Sequence, residues 1–147
     1  MNNYSDVTRP ILLVEDNPMD IDLTKRAFAR RKLANPIEVV TDGEAALAYL
    51  PLWEAGAPLP IVILLDLKLP KVDGLEVLRQ IKAHHIFHTI PVVVLTSSNE
   101  DRDIQTAYTL GANSYIMKPV DFDKFLNIAE HIEIYWLALN TPPRNKA

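Results

Sequence analysis

The segment "IVILLDLKLP", residues 61–70, constrains the fold more than any other stretch. Five aliphatic residues run unbroken into one acid, Asp66, before the chain reaches Pro70. A run that is apolar at successive positions buries both faces, which fits an inner strand of a parallel sheet better than a half-solvated antiparallel one. A buried carboxylate without a partner is costly. Asp66 is therefore expected where the strand emerges, at the carboxyl edge that carries the sites of open α/β sheets.

The rest of the chain alternates in the same way. "PILLVED" (10–16), "PIEVVT" (36–41), "IPVVVLT" (90–96) and "NSYIMK" (113–118) read as the other strands. Between them lie helical stretches with recognisable starts and stops. Asn17-Pro18 supplies an N-cap and an N1 proline for "MDIDLTKRAFARRKL", with Ile21, Ala27 and Phe28 facing inward. Asp42-Gly43 opens "EAALAYL", which Pro51 is expected to end or kink, with "WEAGAPLP" as a loop. Asp73 starts "GLEVLRQIKAHH", Gly111 closes "SNEDRDIQTAYTLG", and Asp121 starts the long final helix "DFDKFLNIAEHIEIYWLAL". Five strands interleaved with five helices predict an α/β, flavodoxin-like, doubly wound five-stranded parallel sheet. With 147 residues the chain holds one domain, 9–138, and a C-terminal tail, 139–147.

Composition removes several classes of function. A net charge of -4 gives no reason to expect nucleic-acid binding. There is no cysteine, so disulfides and thiolate metal sites are excluded. "MNNYSDVTRP" lacks the basic and apolar regions of a signal peptide, and no apolar run is long enough to cross a bilayer. The expectation is a cytoplasmic protein with no nucleic-acid or membrane partner.

Strand ends carry the chemistry. Glu15-Asp16, Asp66, Thr96 and Lys118 each close a strand, and in a parallel sheet those ends share one edge. Converging carboxylates need a counter-charge. Oxygen donors without Cys or nearby His select a hard cation, Mg2+ or Mn2+. A carboxylate beside that cation and an ammonium is a nucleophile toward phosphorus, held in an apolar strand so that its position is fixed.

At these residues the chain resembles a known family. Glu15-Asp16, "LLDLKLPKVDG" around Asp66, "LTSS" around Thr96 and "SYIMKP" around Lys118 are similar to the receiver domains of two-component response regulators, over residues 9–138. Thr96 and Lys118 follow Asp66 by 30 and 52 residues, a spacing that also fits. "EDNPMD", "HTIPVVVLTSSN" and the extended last helix narrow the resemblance to stand-alone regulators of the cyanobacterial-phytochrome type. The resemblance implies that Asp66 accepts a phosphoryl group from a sensor histidine kinase, and its narrower form implies a phytochrome-type kinase. It also implies that Glu15, Asp16, Asp66 and the backbone carbonyl of Lys68 hold Mg2+, that Thr96 and Lys118 contact the phosphoryl oxygens, and that Tyr115 is the switch aromatic. Lys118-Pro119 would be a cis bond. Glu15 stands where many receivers have Asp. Such a protein is not an enzyme on a separate substrate; it catalyses only its own phosphorylation and dephosphorylation. It signals by phosphorylation-dependent contact or as a phosphorelay intermediate.

Other readings compete with this one. A constitutive interaction module would not require the full set of site residues. An aspartyl-nucleophile phosphatase needs a second acid two positions after Asp66, where Lys68 stands, and no glycine-rich phosphate loop is present. His84, His85 and His88 are expected to complement a helix C-terminus. The final helix is more apolar than one buried stripe requires, through Phe122, Phe125, Ile128, Ala129, Ile132, Ile134, Tyr135, Trp136 and Leu139. It is the expected homodimer surface, unless "PLWEAGAPLP" folds over it.

Overall fold

Buried alternation in the strands sets the layers of the molecule. A computed structural model describes residues 9–119, 121–141 and 143. The strands are β1 (Ile11–Val14), β2 (Ile37–Val40), β3 (Val62–Leu65), β4 (Val92–Thr96) and β5 (Ser114–Met117). They form one sheet in the order β2-β1-β3-β4-β5, with every neighbouring pair parallel. Val14 pairs with Leu65 and Leu65 with Val94, so the carboxyl ends of the inner strands finish level.

Successive side chains of a strand leave on opposite faces, and the sheet has a core on each. Ile11, Leu13, Val62, Leu64 and Val93 pack with Ala27, Phe28, Phe125, Ala129 and Ile132 on one side. These come from helices α1 (Pro18–Arg30) and α6 (Phe122–Ile132). Leu12, Val14, Ile63, Leu65, Val92 and Val94 pack on the other side with α2 (Gly43–Leu47), α3 (Tyr49–Glu54), α4 (Gly74–Ala83) and α5 (Asp101–Leu110). Helices on both faces confirm the doubly wound architecture expected of buried parallel strands. Order reverses between β1 and β3, the topological switch point at which such sheets open a crevice.

Local sequence explains where the helices begin. Asn17 caps α1 by accepting from Met19 N at 2.9 Å, with Pro18 at N1. Asp42, Asp73 and Asp121 accept from Ala45, Glu76 and Lys124 backbone N–H groups at the starts of α2, α4 and α6. Gly111 ends α5 at φ 110°, the left-handed cap that costs other residues a steric penalty.

Four expectations need correction. Pro51 does not end a helix: α2 breaks at Ala48, and α3 starts again with Pro51 in its first turn. The missing N–H costs nothing there, because first-turn N–H groups have no intrahelical acceptor. Trp53 and Glu54, the first two residues of the expected loop, are therefore helix, and the segment does not cover the last helix. Its Trp53, only 4% exposed, stacks on Tyr49 at 5.6 Å and meets Phe87 edge-on at 5.5 Å, on the opposite face of the sheet from α6.

The Lys118-Pro119 bond is trans, as are all peptide bonds among the described residues. Trans is the intrinsically favoured isomer, by about 0.5–1 kcal/mol, and Lys118 reaches the site without the cis form. His84 also differs from expectation. His84 Nδ1 accepts from the Ile86 and Phe87 N–H groups, each at 3.1 Å, and so caps the short 3-10 turn Phe87–Thr89. Its ring nitrogen serves as a hydrogen-bond acceptor for the backbone of the turn that follows.

After α6 the chain continues as wider π-helical turns, Glu133–Leu139. Bonding from i to i+5 shifts the helical phase. Trp136 and Leu137 turn toward the core, while Ile134 and Tyr135 stay 46% and 54% exposed. The Leu139 side chain, residues 1–8 and most of the tail lie outside the described residues. No helix among the described residues is long and apolar enough to cross a membrane.

Candidate functional site

Every site residue expected at a strand end arrives at the carboxyl edge. Glu15 and Asp16 follow β1, Asp66 follows β3, Thr96 ends β4 and Lys118 follows β5. Glu15 and Asp66 are 2% and 5% exposed, Thr96 is fully buried, and Asp16 is exposed. The Lys118 backbone is fixed by its N–H, which donates to Thr96 O at 2.8 Å and prolongs the β4–β5 ladder by one bond.

Lys118 is the centre of the site. Its ammonium lies 2.7 Å from Glu15 Oε1, 2.8 Å from Asp66 Oδ2 and 2.9 Å from Asp20 Oδ2. An ammonium has three N–H donors, so these oxygens use its capacity fully. Asp66 Oδ1 accepts from Lys68 N at 3.2 Å, and Glu15 Oε2 accepts from Asn17 N at 3.1 Å. The loop after β3 is held close by Gly74, where an added Cβ would lie 2.2 Å from the Asp66 carbonyl oxygen.

Asp20 was not legible as a site residue. It sits on α1, and only the helix start set by Asn17 and Pro18 indicates that residue 20 falls in the first turn beside the sheet edge. Ser98, within the "LTSS" stretch, is also buried. Its hydroxyl donates to Asp103 Oδ2 at 2.6 Å, and its carbonyl accepts from the Tyr115 hydroxyl at 3.0 Å. Tyr115 is half-buried and packs against the core on the α2–α5 side.

Electrostatics separates the acids. Burial pushes the Glu15 carboxyl up to about 7, against the lowering effect of Lys118 and the Asn17 N–H, and the charge of Asp66 adds to the rise. Burial also acts to raise Asp66, but hydrogen bonds from Lys118 and Thr96, the Lys118 charge and the Lys68 N–H bring it below the usual carboxylate range. Burial works against the Lys118 ammonium, but hydrogen bonds to Asp20, Asp66 and Glu15 hold it above its ordinary range. Asp66 is thus ionised at neutral pH, with its lone pairs available beside a cation.

The donor set suits a divalent metal. Glu15, Asp16 and Asp66 each offer a carboxylate oxygen, all within 4.8 Å of one another. An all-oxygen set of this kind matches a hard cation such as Mg2+ or Mn2+. With one ammonium among four acids, the edge also carries excess negative charge that such a cation would offset.

A doubly wound parallel sheet thus carries this acid–lysine cluster at its carboxyl edge, with an oxygen donor set that suits a divalent cation. Comparison with known proteins agrees. The model of the response regulator receiver domain matches residues 11–130. The response regulator Rcp1 of Synechocystis is 37% identical over 147 residues, covering 97% of this chain and 99% of that one. The probable methanogenesis regulatory protein FilR2 of Methanothrix harundinacea is 50% identical over 134 residues, 90% of this chain and 86% of that one. The crystal structure of the phosphorylated cyanobacterial phytochrome response regulator RcpA superposes with a TM-score of 0.86 at 42% identity, covering 93% and 99% of the two chains.

The chain belongs to the response regulator receiver family. It is a phosphoryl-accepting signalling protein of the two-component type, and receivers of this type take their phosphoryl group from a histidine kinase. Divalent metal binding is supported by the acidic cluster and by the Mn2+-bound crystal form of Rcp1, which superposes with a TM-score of 0.83 at 37% identity over 92% of this chain and 99% of that one.

Proposed function

We propose that Asp66 is the phosphoacceptor and that the residues around Lys118 organise the transfer. The observation that carries this reading is the 2.8 Å contact between Lys118 Nζ and Asp66 Oδ2 in a pocket where Asp66 is 5% exposed. An Asp66 carboxylate oxygen attacks phosphorus and forms the O–P bond. The bond from phosphorus to the donor's nitrogen or oxygen breaks, and its electron pair leaves with the donor. Lys118 and the Thr96 hydroxyl meet the phosphoryl oxygens, where the transition state carries its charge. Glu15, Asp16, Asp66 and the Lys68 carbonyl would hold Mg2+, which supplies further charge neutralisation when bound. The same groups would support hydrolysis of the acyl phosphate by water, so that the chain catalyses both its own labelling and its own reset.

Tyr115 is the switch residue in this reading, because its hydroxyl is tied to the Ser98 carbonyl on the loop that follows Thr96. A Thr96 drawn toward a phosphoryl group moves that loop and the tyrosine's acceptor with it. Output is contact with another protein. Tyr108, Met117, Ile134 and Tyr135 are exposed on α5, β5 and the turns after α6, the elements around the edge strand. We assign a homodimer to this surface, within a receiver domain spanning 9–138 and followed by the tail 139–147. The cytoplasm, where histidine kinases present their phosphoryl groups, is the site of action. Similarity to Rcp1 and RcpA favours a phytochrome-type kinase as donor. Similarity to FilR2 makes the kinase of a methanogenesis regulator the comparison to run beside it.

Phosphotransfer profiling tests the assignment. Radiolabelled kinases of both types are mixed with the parent chain and with Asp66→Asn. Label should pass to the parent within the shortest reaction times and not to the variant. Equal labelling of the variant would remove Asp66 as acceptor.

A further inference from the structure

We propose that Asp20 is a positioning residue for phosphoryl transfer, anchoring the Lys118 ammonium from α1 while the other partners of that lysine change. This inference rests on the assignment of Asp66 as phosphoacceptor and of Lys118 as its phosphoryl contact. The ammonium has three acceptors in the resting site: Glu15 Oε1 at 2.7 Å, Asp66 Oδ2 at 2.8 Å and Asp20 Oδ2 at 2.9 Å. Two of them have other duties. Glu15 and Asp66 belong to the acid group that fits a divalent cation, while Asp20 is not part of that group. When Asp66 forms its bond to phosphorus, the carboxylate becomes an acyl phosphate, and the lysine contact shifts from a carboxylate oxygen to a phosphoryl oxygen. Asp20 is the one partner that neither the cation nor the phosphoryl group engages.

The lysine needs such an anchor. Its side chain is a flexible four-carbon stem with a point charge at the tip, and small misplacements in a transfer site cost large factors in rate. Asp20 is well placed to serve, because its own backbone is rigid. Its N–H donates to the capping Asn17 Oδ1 at 3.3 Å, and its carbonyl accepts from the Thr24 hydroxyl at 2.7 Å. The first turn of α1 therefore fixes the carboxylate, and the carboxylate fixes the lysine between β1 and β5. The "EDNPMD" stretch then has a physical reason for its last acid: the cap at Asn17 and the proline at Pro18 start the helix where residue 20 meets Lys118.

Full-length parent, Asp20→Ala and Asp20→Asn proteins are compared with acetyl phosphate as donor at saturating Mg2+, with labelling followed by intact mass. Mn2+ affinity is measured separately by the loss of the free-ion paramagnetic resonance signal. Asp20→Ala should label about tenfold more slowly, a loss typical of a misplaced group in a transfer site. Asp20→Asn, which retains an oxygen acceptor at the same place, should stay within about threefold of the parent, and Mn2+ affinity should change by no more than about threefold in either variant. In a Lys118→Met background, Asp20→Ala should have an effect below about twofold, since contacts acting through one group are not additive. Parent-like labelling of Asp20→Ala overturns the proposal. So does an equal loss in Asp20→Asn, which would make charge the operative property, or an undiminished loss without Lys118. A parent chain that takes no label, or an Asp66→Asn chain that takes it, instead refutes the acceptor assignment on which the proposal rests.

Discussion

Replacing Glu15 by Gln should make the metal-free protein more stable above pH 7 and give no such gain below about pH 4.5. Glu15 is 2% exposed, and burial raises its carboxyl from 4.5 to about 7 in the folded chain. A raised carboxyl binds more protons folded than unfolded between those values, so its contribution to stability is present at low pH and lost as pH rises through 7. The shift of about 2.5 units, at about 1.36 kcal/mol each, makes the ionised carboxylate cost roughly 3 kcal/mol at pH 8. Gln keeps an acceptor for the Asn17 N–H and for Lys118, but it puts an amide NH2 where an oxygen stood, which returns part of that cost. We expect a net gain of about 1–3 kcal/mol, or about 4–10 °C in Tm. The assay is thermal unfolding of both proteins in a chelator from pH 4 to pH 8.5. The difference should grow through the window 4.5–7 and then level off. Saturating Mg2+ should shrink it at pH 8, because the cation stabilises the parent by mass action. A Gln variant less stable than the parent at pH 8, or a difference independent of pH, would refute the electrostatic account of the site.

Other consequences follow from the packing. Trp53→Ala should cost about 3–5 kcal/mol in urea unfolding, the usual range for a buried aromatic, whereas a residue in a solvated loop would cost little. Gly74→Ala should abolish labelling of Asp66 while the protein still folds, since its Cβ would lie 2.2 Å from the Asp66 carbonyl oxygen; parent-like labelling would show that the β3–α4 loop yields easily. Asn17→Ala should cost about 1 kcal/mol through the lost cap and be measurable in the same unfolding experiment. If Tyr135 anchors the dimer, light scattering should report a dimer for the parent and a lower mass for Tyr135→Ala; a monomer at every concentration, in both phosphorylation states, removes that surface.

What the sequence made legible and what it hid have physical reasons. Asp66, Thr96 and Lys118 fall together because parallel strands end on one edge, and runs as apolar as "IVILL" and "PVVVL" mark strands buried on both faces of such a sheet. Helix caps were equally readable at Asn17, Asp42, Asp73 and Asp121. Asp20 was hidden because a helical side chain reaches the site only through the rotation of α1, which strand logic does not supply. Pro51 misled because proline ends a helix interior but suits a first turn, and the break at Ala48 decides which it meets. The place of His84 at a helix end suggests a residue that complements the helix C-terminus, whereas its ring nitrogen caps two backbone N–H groups of the next turn. Trp136 turns inward because it continues the stripe of Phe125, Ala129 and Ile132 at helical spacing, whereas Tyr135, one position off that stripe, stays exposed.

The central claim is that Asp66 is the nucleophile at a site completed by a divalent cation and Lys118. Intact mass after incubation with acetyl phosphate tests it most directly. The parent should gain one phosphoryl group with Mg2+ and none in excess chelator, and Asp66→Asn should gain none in either condition. A parent labelled equally in chelator, or an Asp66→Asn chain labelled like the parent, would contradict the account.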